Sequence, residues 1–295
     1  IGKDQISDSI LKYLKPEITS QPQEQTVYGD TNVSYSVIAE GKYLSYEWKK
    51  DGVDLAGETN ATLNITDANA TLHDGNYSVV VSNDFGSVES MAFELIVSDP
   101  LLKGLVGWWK FDEGSGTVAY DSSGNGNNGN LTNGPTWVTG KTGGALSFDG
   151  VNDYINLGKN FGNFGRGAFS ISLWMHANSA GVLISKRGTS SYGNFWVFRS
   201  RGDLLYSIEF DAGNSSNHSM SGIGETPITG WKHILFIRTG SLITLFQNGN
   251  EDGTANMVHT QNFTNSYPVL LGVRGAGDDG LVNYYKGLID DVRIY

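Results

Sequence analysis

The chain has 295 residues, 39% of them hydrophobic and 17% charged, with a formal net charge of −11 and no cysteine. A core of useful size can therefore be buried, and disulfides, thiolate metal sites and cysteine nucleophiles are excluded. The acidity argues against a phosphate backbone or an anionic membrane surface as partner, and no apolar run is long enough to span a bilayer. Glycine reaches 39 residues against 6 prolines, and aromatic and β-branched runs alternate with Gly, Asn and Ser turns, which predicts an all-β chain. Residues 16–98 carry 3 basic and 13 acidic side chains, whereas residues 104–295 carry 13 and 15, so most of the acidity belongs to the first part.

Residues 1–15 have a helical spacing of Ile6, Ile10 and Leu14 that Pro16 ends, expected to be a docking helix or the remainder of an upstream segment. From 16 to 98 short alternating strands follow, among them Val33–Ala39, Leu44–Lys49, Tyr77–Ser82 and Ala92–Val97. Trp48 on the third strand, the Asp74-Gly75-Asn76-Tyr77 corner and the Asn83–Gly86 hairpin make this stretch resemble an immunoglobulin-like domain. The family's two inter-sheet cysteines would align with Val37 and Val79, which keeps an apolar core without the staple. Residues 99–104, with Pro100, form a short linker.

From 105 onward the strands are longer and the loops richer in glycine. The last stretch, Gly287–Tyr295, alternates so that Leu288, Val292 and Ile294 share one face, with Asp291 and Arg293 on the other. Asp290 falls on the apolar face, where a carboxylate needs a cation, an arginine or water as partner. Its expected neighbour is Leu105–Phe111, in which Trp109 and Phe111 share a face, and pairing first and last strands would remove two exposed edges. The ordered motifs Trp109–Gly116, Asp121–Gly129, Gly144–Ile155, Phe169–Met175, Gly230–Ile237 and Leu242–Gly249 resemble the laminin-G-like, concanavalin A-like jelly roll over about 105–295. That resemblance implies a β-sandwich that often holds one structural calcium and in many members binds glycans.

Calcium takes six to eight oxygen ligands. The resemblance carries the ligand role to Asp290. Asp112, Asp121, Asp149, Asn152 and Asp153, mostly in glycine-rich loops, are further candidates, and the competing reading is that they hold turns through local hydrogen bonds. A sugar ring stacks its C–H face on an aromatic ring while its hydroxyls bond to Arg, Asn and Asp. Arg187, Tyr192, Trp196, Arg199 and Tyr284 supply those types, with a place in the sandwich core as the competing reading for Tyr192, Trp196 and Tyr284, whereas Trp109, Trp174 and Trp231 are expected to fill the core. Related sugar-cleaving jelly rolls carry Glu-x-Asp-x-x-Glu on one strand; here Glu209-Phe210-Asp211 is followed by Asn214 where the second glutamate belongs, so the pair that retaining hydrolysis needs is incomplete. Both acids are expected to be exposed strand carboxylates. The five histidines lack ligand spacing on one element, and no Gly-x-Ser-x-Gly elbow occurs.

These features predict a non-enzymatic pair of modules from a larger secreted or cell-surface protein. The jelly roll would bind a polysaccharide or a glycoprotein glycan with a structural calcium, the first domain would act as spacer, and the piece would be monomeric, without nucleic-acid or membrane partners. Protein–protein adhesion is the alternative, followed by a cryptic polysaccharide hydrolase.

Overall fold

The computed structural model describes residues 15–187, 194–200, 206–212, 219–223, 230–256, 262–275 and 280–295. All but the last residue of the helix expected over 1–15, and the candidate Tyr192, lie outside these residues. Within them the chain is almost entirely strand, and it divides into two compact units, one ending at Lys103 and the other beginning at Gly104.

In the first unit one sheet runs Gln25–Tyr28, Phe93–Ser98, Gly75–Asn83, Ser45–Lys50 and Val53–Asp54, and Gly86–Glu89 folds back on Gly75–Asn83. The Gln25–Tyr28 and Phe93–Ser98 strands lie parallel, while Phe93–Ser98 meets Gly75–Asn83 antiparallel. Smaller ribbons join Val33–Ser36 to Thr62–Ile65 and Glu17–Ser20 to Ile38–Glu40. Alternation along these strands puts Val33 and Tyr35, Leu63 and Ile65, and Phe93, Leu95 and Val97 into one core around Trp48. The Trp48 indole N–H, which burial obliges to find a partner, donates to the Asn60 carbonyl at 2.8 Å. Val79 stands opposite Trp48, and Val37 is buried in the same core. Tyr77 donates its hydroxyl back to the His73 carbonyl at 2.8 Å, locking the corner into the strand it opens.

The second unit has two eight-stranded sheets. The first runs Thr136–Thr139, Gly144–Asp149, Lys286–Ile294, Phe169–Ala177, Lys232–Thr239, Leu242–Gln247 and Asn250–Asn256, with Gly107–Trp109 also paired to Lys286–Ile294. The second runs Val118–Ala119, Gly129–Thr132, Tyr154–Asn156, Val269–Leu271, Gly181–Lys186, Asn194–Ser200, Tyr206–Ala212 and Ser219–Ile223. Their inner faces meet in one core, with Ile171, Leu173, Phe236, Ile289 and Val292 from the first sheet and Leu183, Trp196, Phe198, Ile208 and Leu271 from the second.

The closing strand Lys286–Ile294 does meet the opening one, with Gly107 opposite Ile294 and Trp109 opposite Val292. It is nevertheless an interior strand. Phe169–Ala177 flanks it on one side, and Gly144–Asp149 and Gly107–Trp109 share the other, so the free edges fall to Thr136–Thr139 and Asn250–Asn256. The expected face of Asp290 is also corrected. Register slips between Ser172, opposite Arg293, and Trp174, opposite Asp290, and Asp291 sits in the left-handed region at φ 49°. This bulge inserts one residue and reverses the alternation beyond it. The core residues are consequently Ile289, Val292 and Ile294, not Leu288, and Asp290 faces away from the core with Trp174. Trp174 and Trp231, expected in the core, instead sit half-buried against His233 and His176.

Gly181 shows how tightly the strands close. A Cβ there would lie 2.5 Å from the Tyr285 Cα and 2.7 Å from the Tyr284 carbonyl oxygen, atoms that cannot rotate aside. Gly181→Ala is expected to destabilise the second unit by about 1–3 kcal/mol, read as a lower urea midpoint at unchanged slope, and an unchanged midpoint would contradict this packing.

Candidate functional site

Two clusters of polar side chains stand out in the second unit, on outer faces of the two sheets. The first is built by the bulge. Asp290, fully buried, accepts through one oxygen the amides of Lys141 at 2.8 Å and Thr142 at 2.9 Å. Its other oxygen is buried without a partner. The loop from Gly140 to Gly144 can wrap these groups because it lacks side chains where they would collide. A Cβ on Gly140 would meet the Gly144 carbonyl oxygen at 2.2 Å and an Asp290 oxygen at 2.7 Å, and one on Gly143, at φ +68°, would meet an Asp112 oxygen at 2.2 Å. Asp112 accepts the Gly144 amide at 2.7 Å. Burial pushes the Asp290 carboxyl up to about 6, with the charges of Asp291 and Asp112 adding to it and the two loop amides opposing.

Asp112, Asp290 and Asp291 line an opening of about 230 Å³ together with Trp108, Lys110, Thr142 and Arg293. The Trp108 indole N–H donates to Asp291 at 2.6 Å, and its ring lies 4.1 Å from the Lys110 ammonium and 4.6 Å from the Arg293 guanidinium. Of the six calcium-ligand candidates the fold brings only Asp290 and Asp112 into this opening. Asp121 instead accepts the amides of Trp108, Ser123 and Asn127, each at 2.9 Å, and organises the Asp121–Gly129 loop. Asp149 accepts the Val151 amide at 2.7 Å, and Asp153 accepts that of Asp149 at 3.0 Å, closing the turn that contains Asn152. Among the described residues no three His, Asp or Glu side chains converge on a point that holds a metal.

The second cluster lies on the outer face of the second sheet. Along Asn194–Ser200 and Tyr206–Ala212, Trp196, Phe198, Tyr206 and Ile208 face the core. The alternate positions Phe195, Val197, Arg199, Ser207 and Glu209 therefore face outward. Arg187 Nη1 meets Glu209 Oε1 at 3.1 Å, Arg199 Nη1 lies 3.8 Å from Oε2, and the Arg187 guanidinium lies 4.0 Å from the centre of the Phe195 ring. Glu209, expected to be an exposed strand carboxylate, is buried between guanidiniums. The side chain of Asp211 lies outside the described residues. Trp196, expected to offer its ring to a sugar, is wholly buried and donates its indole N–H to the Gly162 carbonyl at 3.2 Å. Tyr284 is half-buried beside Gly181, about 20 Å of strand from Arg187.

Sequence reasoning missed two basic groups, one near this cluster and one on the inner face of the same sheet. Arg274 approaches Arg187, Glu209 and Arg199 closely enough to feel their charges. Lys186 is fully buried and donates to the Tyr267 carbonyl at 2.6 Å, and burial draws its ammonium down to about 8. Lys186 ends an apolar strand and so carried a faint signal. Arg274 carried none, since its place depends on pairings distant in the chain.

Asp121 has a testable signature. Burial pushes its carboxyl up, but the Ser123 hydroxyl and the amides of Trp108, Ser123 and Asn127 outweigh it, so it titrates below the usual aspartate range. A depressed folded-state value contributes stability above the unfolded pKa, about 3.9, that is lost as pH falls through the folded one. The urea midpoint is expected to drop between about pH 5 and pH 3. Asp121→Asn should cost about 1–3 kcal/mol at neutral pH and flatten that drop, and an unaltered pH profile in the variant would refute the assignment.

Residues 148–295 match the Laminin_G_3 family, described as the concanavalin A-like lectin/glucanases superfamily. No curated protein matches the chain. Among solved structures, the binding domain of Paraclostridial Mosquitocidal Protein 1 superposes with a TM-score of 0.52 at 19% identity, covering 66% of this chain and 49% of that one. The W1252A mutant of HCR D/C VPI 5995 gives a TM-score of 0.50 at 12% identity over 66% and 49%. Domain 4 of AbnA, a GH43 extracellular arabinanase from Geobacillus stearothermophilus in complex with arabinotriose, gives 0.45 at 20% identity over 65% and 91%. The chain thus spans about half the length of the first two structures, and the likeness is one of fold.

Proposed function

The chain belongs to the concanavalin A-like lectin/glucanases superfamily, and on that premise we propose that its second unit is a non-catalytic carbohydrate-binding module. The observation that carries this reading is the cluster of Arg187, Arg199, Ser207 and Glu209 on the outer face of the second sheet, with the Arg187 guanidinium stacked on the buried Phe195 ring. Fixed, convergent donors and acceptors are what the orientation of sugar hydroxyls requires. Glu209 supports a binding role over a hydrolytic one, because a carboxylate engaged by two guanidiniums has no free oxygen with which to protonate a leaving group. The first unit is read as an immunoglobulin-like spacer, supported by the Trp48-centred core and the Tyr77–His73 corner bond. The pair belongs, on this reading, to a larger secreted or cell-surface protein, and its partner is a polysaccharide or a glycoprotein glycan.

A glycan array probed with the whole chain is expected to show saturable binding, with no release of reducing ends from the bound polysaccharides. Turnover abolished by Glu209→Gln would replace the binding reading with a hydrolytic one, and silence across plant, marine and animal glycans would favour protein adhesion.

A structural calcium is part of the same proposal, narrowed to the Gly140–Gly144 loop. The unpartnered Asp290 oxygen and the Asp112 carboxylate fit two places in an oxygen shell, which backbone carbonyls and water would complete, whereas Asp121, Asp149, Asn152 and Asp153 are committed to turns. Bound there, calcium would neutralise a buried charge and pin the loop. Added calcium is expected to raise the melting temperature of chelator-treated protein, and Asp290→Asn should remove that response. Without calcium the same variant should melt higher than the wild type, since an amide replaces an unpaired buried carboxylate oxygen. Identical melting curves with calcium and with chelator would sink the metal.

A further inference from the structure

The first unit leaves one side of its sandwich open. Its smaller layer ends at Thr62–Ile65, which pairs with Val33–Ser36 on one side and, among the described residues, with no strand on the other. The Val37 amide donates to the Ala61 carbonyl at 3.0 Å, so alternation gives the backbone bonds of Ala61, Leu63 and Ile65 to that partner. The N–H and C=O groups of Thr62 and Asn64 consequently point to the open side, where an added strand can pair with them. Native edges are commonly guarded by lysine, proline or an inward-pointing charge. Residues 59–66, Thr-Asn-Ala-Thr-Leu-Asn-Ile-Thr, contain no charge and no proline.

A groove of about 240 Å³ lies beside this edge, lined by Leu55, Leu63, Ile65 and Leu72 with Glu58 and His73 among them. Leu72 is 66% exposed, a large apolar side chain with little cover. An added strand bonds an edge through its backbone and sets alternate side chains into the groove alongside, and here the two features coincide. Charge decides the kind of strand. The lysines at this end are matched, Lys49 with Asp54 at 2.6 Å and Lys50 with Asp51 at 2.8 Å. Glu58 and Asp67 have no cation partner among the described residues, and residues 16–98 as a whole carry 3 basic against 13 acidic side chains. A second copy would bring the same charge, so the field opposes self-pairing and favours a basic partner. Lys15 lies against Gly41 and Gly86, beyond the Ser45–Ser82 pair, whereas the groove adjoins the Lys50–Tyr77 pair at the other end of those strands.

We propose that the open edge of Thr62–Ile65 and its groove capture an extended segment of a partner protein by strand addition, the segment being basic and apolar at alternate positions. The main-chain groups of Thr62 and Asn64 hold the strand, Leu55 and Leu72 cover its apolar side chains, and Glu58 and Asp67 select its cations. This role goes beyond that of a spacer and is independent of glycan binding by the second unit.

The probe is a synthetic peptide, Lys-Val-Thr-Val-Lys-Val-Thr-Val-Lys, titrated against the whole chain by fluorescence anisotropy, with its Glu-for-Lys counterpart alongside. The basic peptide is expected to bind with a Kd below about 100 µM that weakens between about 20 and 300 mM salt, and the acidic one about tenfold or more weakly. Amide hydrogen exchange at Thr62 and Asn64 is expected to slow about tenfold or more at saturation. Leu72→Ser, at an exposed position, should weaken binding about threefold or more at an unchanged melting temperature, and Asn64→Pro, which removes one edge N–H, about tenfold. Binding that leaves exchange at Thr62 and Asn64 unaltered marks adsorption to an acidic surface and overturns the strand site. Absence of binding, equal affinity for the two peptides, or a Leu72→Ser variant that binds as the wild type does the same. Slow exchange at those amides in the chain alone means that a second copy or a segment of this chain already fills the edge, which also overturns it. The glycan array reads the second unit, so each reading can fail without the other.

Discussion

A bulge in the closing strand governs the arrangement of the second unit. Asp291, held at φ 49°, gives Lys286–Ile294 one residue more than its neighbour Phe169–Ala177 requires. The strand can then put Val292 and Ile294 into the core at one end and Ile289 at the other, while turning two consecutive aspartates out of it. One of them, Asp291, ties down Trp108 and Arg293. The other, Asp290, is covered by the Gly140–Gly144 loop and left with an oxygen that nothing satisfies. Strand pairing, the loop and the acidic opening are therefore consequences of one backbone conformation.

The second sheet obtains its polar surface in a different way, through undisturbed alternation. Where Trp196, Phe198, Tyr206 and Ile208 face inward, Phe195, Arg199, Ser207 and Glu209 must face outward, and adjacent strands in register bring their charges together. The cations are drawn from the strand Asn194–Ser200, from the end of Gly181–Lys186 and from a short strand near the end of the chain. The sheet carries Arg199 and Glu209, whereas Arg274 is brought in by a separate two-stranded ribbon.

Much of this was legible in the residues. Period-two alternation marked the strands, Trp109 and Val292 announced the pairing of the opening and closing strands, and Val37 and Val79 marked a core without a disulfide. Asp290 was legible as buried. Its face was not, because a one-residue insertion leaves no compositional trace and shifts every later position to the opposite side. Trp196 failed for a related reason. In Phe195-Trp196-Val197-Phe198 both faces are apolar, so type alone cannot tell which ring faces inward, and register decides. Glu209 was read as solvent-facing because its counter-ions come from elements 22 residues away or reached through another strand's register.

The first unit has a feature whose consequence lies in mechanics. Its sheet sets Gln25–Tyr28, near the start, parallel to Phe93–Ser98 at the end, with Leu95 opposite Gln25 and Ser98 opposite Tyr28. Tension applied along the polypeptide through this pair would slide one strand past the other, loading the whole ladder together where an antiparallel hairpin would peel open bond by bond. Pulled by its two ends, this domain would on that account yield late and abruptly.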